Sequence, residues 1–265
     1  MKPLPICPCR RAFTSSAFKI ALASASGVAA LSARGADGHG APAPARDLST
    51  KSRVLDAGAR LLQHRRPLDA MSAFLNGFHF YADDVGRQVD AYHYCTHLTE
   101  DFHQCVIYDS DAPNAKLIGI EYIVSERVFR TLPDDEKRLW HSHRYEVRSG
   151  QLAAPGIPDA AEHALMTQLV NTYGKTWHTW QIDRDPALPL GIPQLMMGFT
   201  ADGQLDPARV HARDARLGVS TDAQRRRRAD IPEPTPVPGA DAWQRGVTVQ
   251  LAAAEVGVKR SGRDS

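Results

Sequence analysis

The stretch His93-Tyr94-Cys95-Thr96-His97-Leu98-Thr99-Glu100-Asp101-Phe102-His103-Gln104-Cys105 decides the fold of this chain. Aromatic and β-branched residues with a period of two surround a short polar turn, a pattern typical of two neighbouring strands. A turn this short makes the two strands antiparallel. A hairpin centred on Glu100 pairs residues whose numbers sum to 200, so Cys95 is predicted to face Cys105 and His97 to face His103.

The opposed cysteines allow three interpretations. In an exported chain a Cys95–Cys105 disulfide is favoured. Opposed Cβ atoms lie about 4.5 to 5.5 Å apart, slightly farther than a disulfide requires, and a non-hydrogen-bonded pair closes that gap. In a reducing compartment, the same cysteines with His97 and His103 approximate a four-ligand zinc set. The third interpretation is two buried free thiols beside solvated histidines.

The remaining pattern predicts the fold class. A period of two also predicts strands at the following ranges: Val89–His97, His103–Asp109, Lys116–Ser125, Trp140–Ser149 and Thr176–Asp183. Apolar residues at helical spacing predict a helix from Ser49 or Thr50 to Gln63 and a late helix over Asp159–Thr172. Short successive strands bracketed by helices indicate an α+β domain with a mainly antiparallel sheet of about five strands.

Both ends of the 265-residue chain differ in composition from its centre. Residues 1–36 contain no Asp or Glu, and Arg10-Arg11 precedes a mildly apolar run, which predicts a targeting segment over 1–33 that resembles a twin-arginine signal. The run is too short and too rich in small residues for a transmembrane helix. We therefore expect export to the periplasm or secretion, with an organellar or cytoplasmic location as the alternative.

The other boundaries follow from glycine, proline and arginine. Residues 34–49 are predicted to be a flexible linker, and residues 50–218 the folded domain. The four-arginine run Arg225–Arg228 and the alternate prolines after it predict a disordered, basic, proline-rich tail over 219–265.

A segment rich in histidine, Trp140-His141-Ser142-His143-Arg144-Tyr145-Glu146, carries candidate metal ligands. In a regular strand His141 and His143 share one face while Glu146 points away, so a His-His-Glu set needs a bulge. Ser142 lacks the Gly-x-Ser-x-Gly elbow of a nucleophile. The His-x-His spacing matches the cupin metal motif only weakly, because the glutamate follows too soon.

Two further residues extend this candidate site. His178 joins the two histidines if its strand neighbours theirs. Glu121 is a carboxylate in an otherwise apolar strand, and a buried carboxylate requires an arginine or a histidine as its partner. The candidate ligands for a divalent transition metal are His141, His143, His178 and Glu121.

A second apolar stripe is a candidate for contact with lipid. From Leu68 to Phe80 apolar residues recur at intervals of three and four, which predicts a second amphipathic helix. Such a helix packs into a core or, with bulky aromatic residues, lies on a lipid surface. The candidate contact residues are Met71, Phe74, Leu75 and Phe78.

Several short sequence words occur in the order known from one family. They are Phe78-His79-Phe80-Tyr81-Ala82, His93-Tyr94-Cys95, Gln104-Cys105-Val106-Ile107-Tyr108-Asp109-Ser110, Leu117-Ile118-Gly119-Ile120-Glu121-Tyr122-Ile123, Leu139-Trp140-His141-Ser142-His143, Tyr145-Glu146-Val147 and Leu188-Pro189-Leu190-Gly191. Over roughly residues 50 to 230 the chain resembles the oil body-associated protein family. Plant members associate with seed oil bodies, so the resemblance implies a lipid-related role, without a reaction or catalytic residues.

Two functional hypotheses follow. The leading one is a non-enzymatic protein that associates with a lipid surface or binds an apolar small molecule. The alternative is a metal-dependent enzyme that uses His141, His143 and His178. The net charge of only +2 gives no reason to expect a nucleic-acid partner, and the oligomeric state stays open.

Overall fold

The computed structural model describes residues 47–258, so the predicted targeting segment and most of the linker lie outside the described residues. The strands are β1 Ala73–Tyr81, β2 Asp84–Thr99, β3 Phe102–Tyr108, β4 Leu117–Ser125, β5 His141–Ser142, β6 Thr172–His178 and β7 Gln194–Met197. The helices are α1 Thr50–Leu62, α2 Arg66–Asp69, α3 Glu126–Phe129, α4 Asp134–Lys137, α5 Arg144–Arg148, α6 Asp159–Leu169, α7 Pro207–Leu217 and α8 Thr221–Arg227, followed by a 3₁₀ turn at Ala242–Arg245.

The strands form an antiparallel sheet that closes on itself. Its order is β4-β3-β2-β1-β7-β6-β5, and β4 also pairs with β6, so six strands make a barrel and β5 is an additional strand. Closure leaves these six strands without a continuous open edge. The α+β class and the antiparallel sheet are confirmed, whereas the expected number of about five strands was too low. Among the described residues, no helix is long and apolar enough to cross a membrane.

The β2–β3 hairpin has the register predicted from its sequence. Cys95 pairs with Cys105 and His97 pairs with His103, and the two cysteines are joined by a disulfide. The helix predictions at Thr50 and Asp159 are also confirmed, and the side chain of Ser49 accepts a hydrogen bond from the backbone N–H of Ser52 at the start of α1.

The predicted helix from Leu68 to Phe80 is wrong, because β1 occupies most of it. Both faces of β1 are buried, so apolar residues occur on both faces and hide the period of two. Leu75 and Phe78 are buried in the core, and Phe74 stacks on Tyr94 outside the barrel. Met71 lies in the preceding loop and lines an open groove. These residues therefore form no lipid-facing helix.

The predicted strand Trp140–Ser149 is also mostly wrong. It ends at Ser142, since His143 adopts helical backbone angles and α5 begins at Arg144. Helix α5 buries Val147 and Glu146 against the barrel. The turn from strand to helix changes which residues share a face, so Glu146 lies near His141 instead of pointing away from it.

The predicted tail is folded over much of its length. Arg228, part of the basic run, is fully buried and donates to the carbonyl oxygens of Val147 and Leu152 while pairing with Glu162. Farther along, Asp241 accepts hydrogen bonds from the backbone N–H and the hydroxyl of Ser142. The composition predicted a solvated tail because it does not reveal the distant groups that bond with Arg228 and Asp241. Within the predicted tail, only residues 259–265 lie outside the described part of the chain.

The barrel interior has three layers. Strand alternation and register place a polar layer between two apolar clusters. One cluster contains Leu75, Cys95, Cys105, Ile123, Val147, Leu152, Met166 and Leu169 among its members. The other contains Tyr81, Val89, Ala91, Ile107, Ile118 and Met196. The histidines and glutamates discussed next form the polar layer.

Candidate metal centre

Glu121 lies at the centre of the polar layer, with only 2% of its surface exposed. Its strand neighbour across the sheet is Thr176, which also faces inward. Nitrogen Nε2 of His93 lies 2.9 Å from Oε2 of Glu121. The Nε2 atoms of His143 and His141 lie 3.3 Å and 3.4 Å from Oε1. One buried carboxylate is therefore surrounded by three imidazoles.

The barrel wall positions these side chains. His79 comes from β1, His93 from β2 and His178 from β6, each directed inward by strand alternation. Strand β5 places His141 opposite Gly174 of β6. A Cβ atom at Gly174 would lie 2.8 Å from His143 Nε2 and 2.9 Å from His141 Cε1, closer than real Cβ atoms approach. The absence of a side chain at this position makes room for the ligands.

Thr172 fixes the orientation of His143. The Thr172 hydroxyl donates its only proton to the carbonyl oxygen of Leu169 at 2.7 Å. His143 Nδ1 lies 2.8 Å from the same hydroxyl, so Nδ1 must carry the proton and donate it. In the neutral ring Nε2 then presents a lone pair toward Glu121. A lone pair facing a carboxylate is the arrangement that a cation between them stabilises.

Several buried polar atoms of the layer have no hydrogen-bond partner among the residues that the structure describes. They are Nδ1 and Nε2 of His93, Nδ1 and Nε2 of His141, Nδ1 of His178 and Oγ1 of Thr176. His93 and His141 approach Glu121 closely, but their ring nitrogens are not aimed at its oxygens well enough for hydrogen bonds. An unsatisfied buried polar group costs about 1 to 3 kcal/mol. Coordination of a metal ion would satisfy some of these nitrogens.

The charge state of the layer suits a cation. Burial opposes the charge of Glu121, but the imidazoles of His141 and His93 beside it outweigh burial and hold the pKa of Glu121 well below its usual range. Burial lowers the pKa of His79 and His143, and it lowers the pKa of His178 to about 3. Burial also opposes the charge of His141, but the Glu121 carboxylate outweighs burial and raises the pKa of His141. A carboxylate among imidazoles is a typical donor set for a divalent transition metal.

Glu146 is a second carboxyl group beside the cluster. The prediction that it points away is wrong, because α5 turns it inward and its Oε2 lies 3.9 Å from His141 Nε2. Burial is the main cause that raises the pKa of Glu146 to about 8. This carboxyl group is therefore mostly protonated at neutral pH when no cation is near.

The structure brings together three of the four ligands predicted from the sequence. Glu121, His141 and His143 form one group whose possible ligand atoms all lie within 4.8 Å of one another. His178 is in the same layer, but its near neighbour is His79, with 3.4 Å between Nε2 and Nδ1. The predicted partner of Glu121 is a histidine rather than an arginine.

Sequence reasoning missed two members of the cluster. His79 and His93 form a second group with Glu121, again within 4.8 Å. His93 and Cys95 are two residues apart in the predicted hairpin strand and so share a face, which is a signal that His93 faces inward. His79 gave no such signal, since its segment was interpreted as a helix.

The space among these side chains, here called the inner cavity, is small. Its volume is about 10 Å³, which is room for about one water molecule. The lining residues are Leu75, Gly77, His79, His93, Glu121, Ile123, His143, Glu146, Leu152 and Leu169. The inner cavity fits a single ion and excludes a carbon chain.

Fold and site together define an antiparallel barrel with a buried cluster of histidine and glutamate. The sequence profile of a family described as a protein of unknown function (DUF1264) matches residues 65–232. The chain is 42% identical over 219 residues to oil body-associated protein 1B of Arabidopsis thaliana, covering 82% of this chain and 91% of that protein. It is 45% identical over 210 residues to oil body-associated protein 1A of Zea mays, covering 78% and 88%.

The chain therefore belongs to the oil body-associated protein family. Oil body-associated protein 2B of Zea mays is also similar, at 43% identity over 221 residues. No solved structure matches the chain. The matched residues 65–232 include every member of the histidine and glutamate cluster.

Proposed function

We propose that the protein binds one divalent transition-metal ion inside its barrel. The observation that carries this proposal is the buried Glu121 carboxylate with three imidazole nitrogens within 3.4 Å, two of which lack hydrogen bonds within residues 47–258. A tetrahedral ion with bonds of about 2.1 Å separates its ligand atoms by about 3.4 Å. The distances from Glu121 Oε1 to His141 and His143, 3.4 Å and 3.3 Å, are of this size.

The inner cavity restricts what the ion can do. A volume of about 10 Å³ leaves no space for an apolar ligand beside the histidines. This disfavours the hypothesis of an apolar small molecule inside the barrel. It also limits any reaction at the ion to a substrate of about the size of water unless the surrounding side chains move.

The test is metal content after purification of the full chain without added metal. We expect about one equivalent of zinc, iron, copper or manganese by mass spectrometry. Glu121→Gln and His143→Ala are expected to lose it, whereas the control His211→Ala, an exposed histidine on α7, retains it. A folded wild-type chain that binds none of these ions on titration refutes the metal centre.

A second candidate function, association with a lipid surface, is favoured by helix α1. None of its residues is buried, and Leu61 and Leu62 are 85% and 80% exposed. Val54 and Leu55 lie on the same helical face, and basic residues such as Arg60 accompany them. Apolar and basic residues on one helix fit an anionic lipid surface. The relatives' names, which refer to oil bodies, also support this role.

Flotation with an emulsion of triacylglycerol coated with anionic phospholipid tests this second proposal. Leu61→Asp on α1 is expected to abolish flotation. Leu98→Asp, which changes a 47% exposed leucine near the end of β2, is the control and should leave flotation unchanged. Equal flotation of both variants would show that α1 is not the lipid-contacting element.

We also propose export by the N-terminal targeting segment. The Cys95–Cys105 disulfide supports an oxidising compartment. Replacement of Arg10 and Arg11 by lysine is expected to leave the chain in the cytoplasm of the producing cell. Unchanged fractionation of this variant between cytoplasm and periplasm would exclude the twin-arginine signal.

A further inference from the structure

A second and much larger cavity lies next to the proposed metal centre. This outer cavity has a volume of about 650 Å³ and is open to solvent. It is lined by His97, Glu100, Asp101, His103, Ser125, Glu126, Arg127, Arg130, Leu165, Gln168, Leu169, Asn171 and Thr172. Its arginines are neutralised locally, since Arg127 pairs with Asp101 and Arg130 with Glu126. Its remaining cation-binding groups include the Glu100 carboxylate and the imidazoles of His97 and His103, which are stacked 4.0 Å apart.

The outer and inner cavities are adjacent and have one lining residue in common. Leu169 lines both cavities. Thr172 lines the outer cavity and holds His143, which lines the inner one. His103 of the outer cavity pairs across the sheet with Ile123 of the inner cavity. The Leu169 side chain therefore lies between the two spaces.

The opposite end of the barrel is closed by polar side chains with an apolar layer beneath them. The hydroxyl of Tyr81 donates to Asp183 at 2.7 Å, and the guanidinium of Arg87 lies 3.6 Å from the centre of the Tyr81 ring. Beneath this cover Ile107 and Met196 are fully buried. An ion entering from that end would have to pass an ion-paired cover and an apolar layer.

We propose that the outer cavity is the entry route by which a divalent cation reaches the metal centre, with Leu169 as the gate. This inference rests on the proposed metal-binding function. His97 and His103 give an arriving cation its first imidazole ligands, and His143 is the first ligand beyond the gate. The cation passes when the Leu169 side chain changes rotamer, a motion that needs no change of the backbone.

The two directions of exchange test the route. Uptake of Co²⁺ by the metal-free full chain is followed by its absorption in a stopped-flow instrument, and release is followed after excess chelator is added. In Leu169→Ala both rates should rise by about tenfold, because a lower barrier speeds entry and exit equally. The dissociation constant should consequently stay near that of the wild type. Leu169→Trp should slow both rates.

Two control variants separate the gate from general loosening of the protein. Leu165→Ala removes the same atoms from the same helix, but Leu165 lines only the outer cavity, and its rates should stay within about twofold of wild type. Tyr81→Phe removes the hydroxyl that closes the opposite end, and its rates should also stay unchanged.

Each other result overturns the route. Rates in Leu169→Ala equal to wild type, or a faster release with unchanged uptake, exclude Leu169 as the gate. Faster exchange in Tyr81→Phe places the entry at the opposite end. A wild-type chain that binds no Co²⁺ refutes the metal centre itself and with it the route, whereas a chain that binds Co²⁺ but fails the other tests loses only the route.

Discussion

A methyl group added at Gly174 tests the geometry of the metal centre without removing any ligand. Gly174 lies on β6 opposite His141, and its backbone needs no special conformation, because its φ is not positive. The change to alanine therefore acts through space alone. Its new Cβ atom would meet His143, His141 and the Glu121 carboxylate at once.

The distances give the size of the effect. The Cβ atom would lie 2.8 Å from His143 Nε2, whereas ordinary contact begins at 3.4 Å, so the ligands must move by at least about 0.6 Å. Metal–ligand distances tolerate only about 0.2 Å. We expect the metal affinity to fall by about a hundredfold or more, which is about 2.7 kcal/mol. Overpacking should also cost the metal-free fold about 1 to 3 kcal/mol.

Gly77→Ala is the matched control. Gly77 also faces the inner cavity from a strand, but its Cβ atom would meet Leu152 at 3.4 Å and Glu146 at 3.9 Å, which are ordinary contacts. Isothermal titration with Zn²⁺ measures the affinity of both variants, and chemical denaturation measures their stability. Folded Gly174→Ala that binds Zn²⁺ as tightly as Gly77→Ala would refute this geometry of the metal centre.

Three further predictions concern the surroundings of the site. Thr172→Val removes the hydrogen-bond acceptor for His143 and should weaken Zn²⁺ binding by about 10- to 100-fold. Thr167→Val, at an exposed threonine, is the control and should not weaken it. Equal Zn²⁺ titration curves for the two variants would contradict the assigned His143 tautomer. The pKa of Glu146 is about 8 in the native state and about 4.5 in the unfolded state. Between these values the native state binds the extra proton, so the metal-free protein should lose stability as the pH rises. The loss is at most about 5 kcal/mol and is measured from denaturation midpoints at pH 5 and pH 8. Glu146→Gln should abolish it, and an unchanged dependence of stability on pH would exclude Glu146 as its source. Deletion of residues 219–265 should prevent cooperative unfolding, because it removes the fully buried Arg228 from the core. A sharp thermal transition of the shortened chain would show that the folded domain ends before residue 219.

The sequence predicted the β2–β3 hairpin because the information for it is local. Two runs of alternating residues flank one polar turn, and a single choice of centre fixes every pair. Strand β1 could not be recognised in the same way. One face of β1 lies inside the barrel and the other packs on residues such as Phe199 and Trp243, so its apolar residues lack the period of two that marks a strand.

The candidate site could be predicted only in part, for a similar reason. Glu121 was found because a carboxylate in an apolar strand requires a partner, and His141 and His143 because they share a face. The contact between His79 and His178 spans 99 residues in the sequence. It depends on closure of the barrel, which no local pattern predicts. Glu146 was misplaced because the strand ends at Ser142 and a helix follows.

The two proposed functions occupy separate parts of the molecule. The metal ligands are buried in the barrel, whereas no residue of α1 is buried. Residues 65–232, which match the family profile, contain all the ligands and exclude α1. Because the ligands are buried and Leu61 is exposed, Leu61→Asp should abolish flotation and keep the metal, and His143→Ala should do the reverse. Loss of both properties in either variant would mean that lipid association depends on the state of the metal centre.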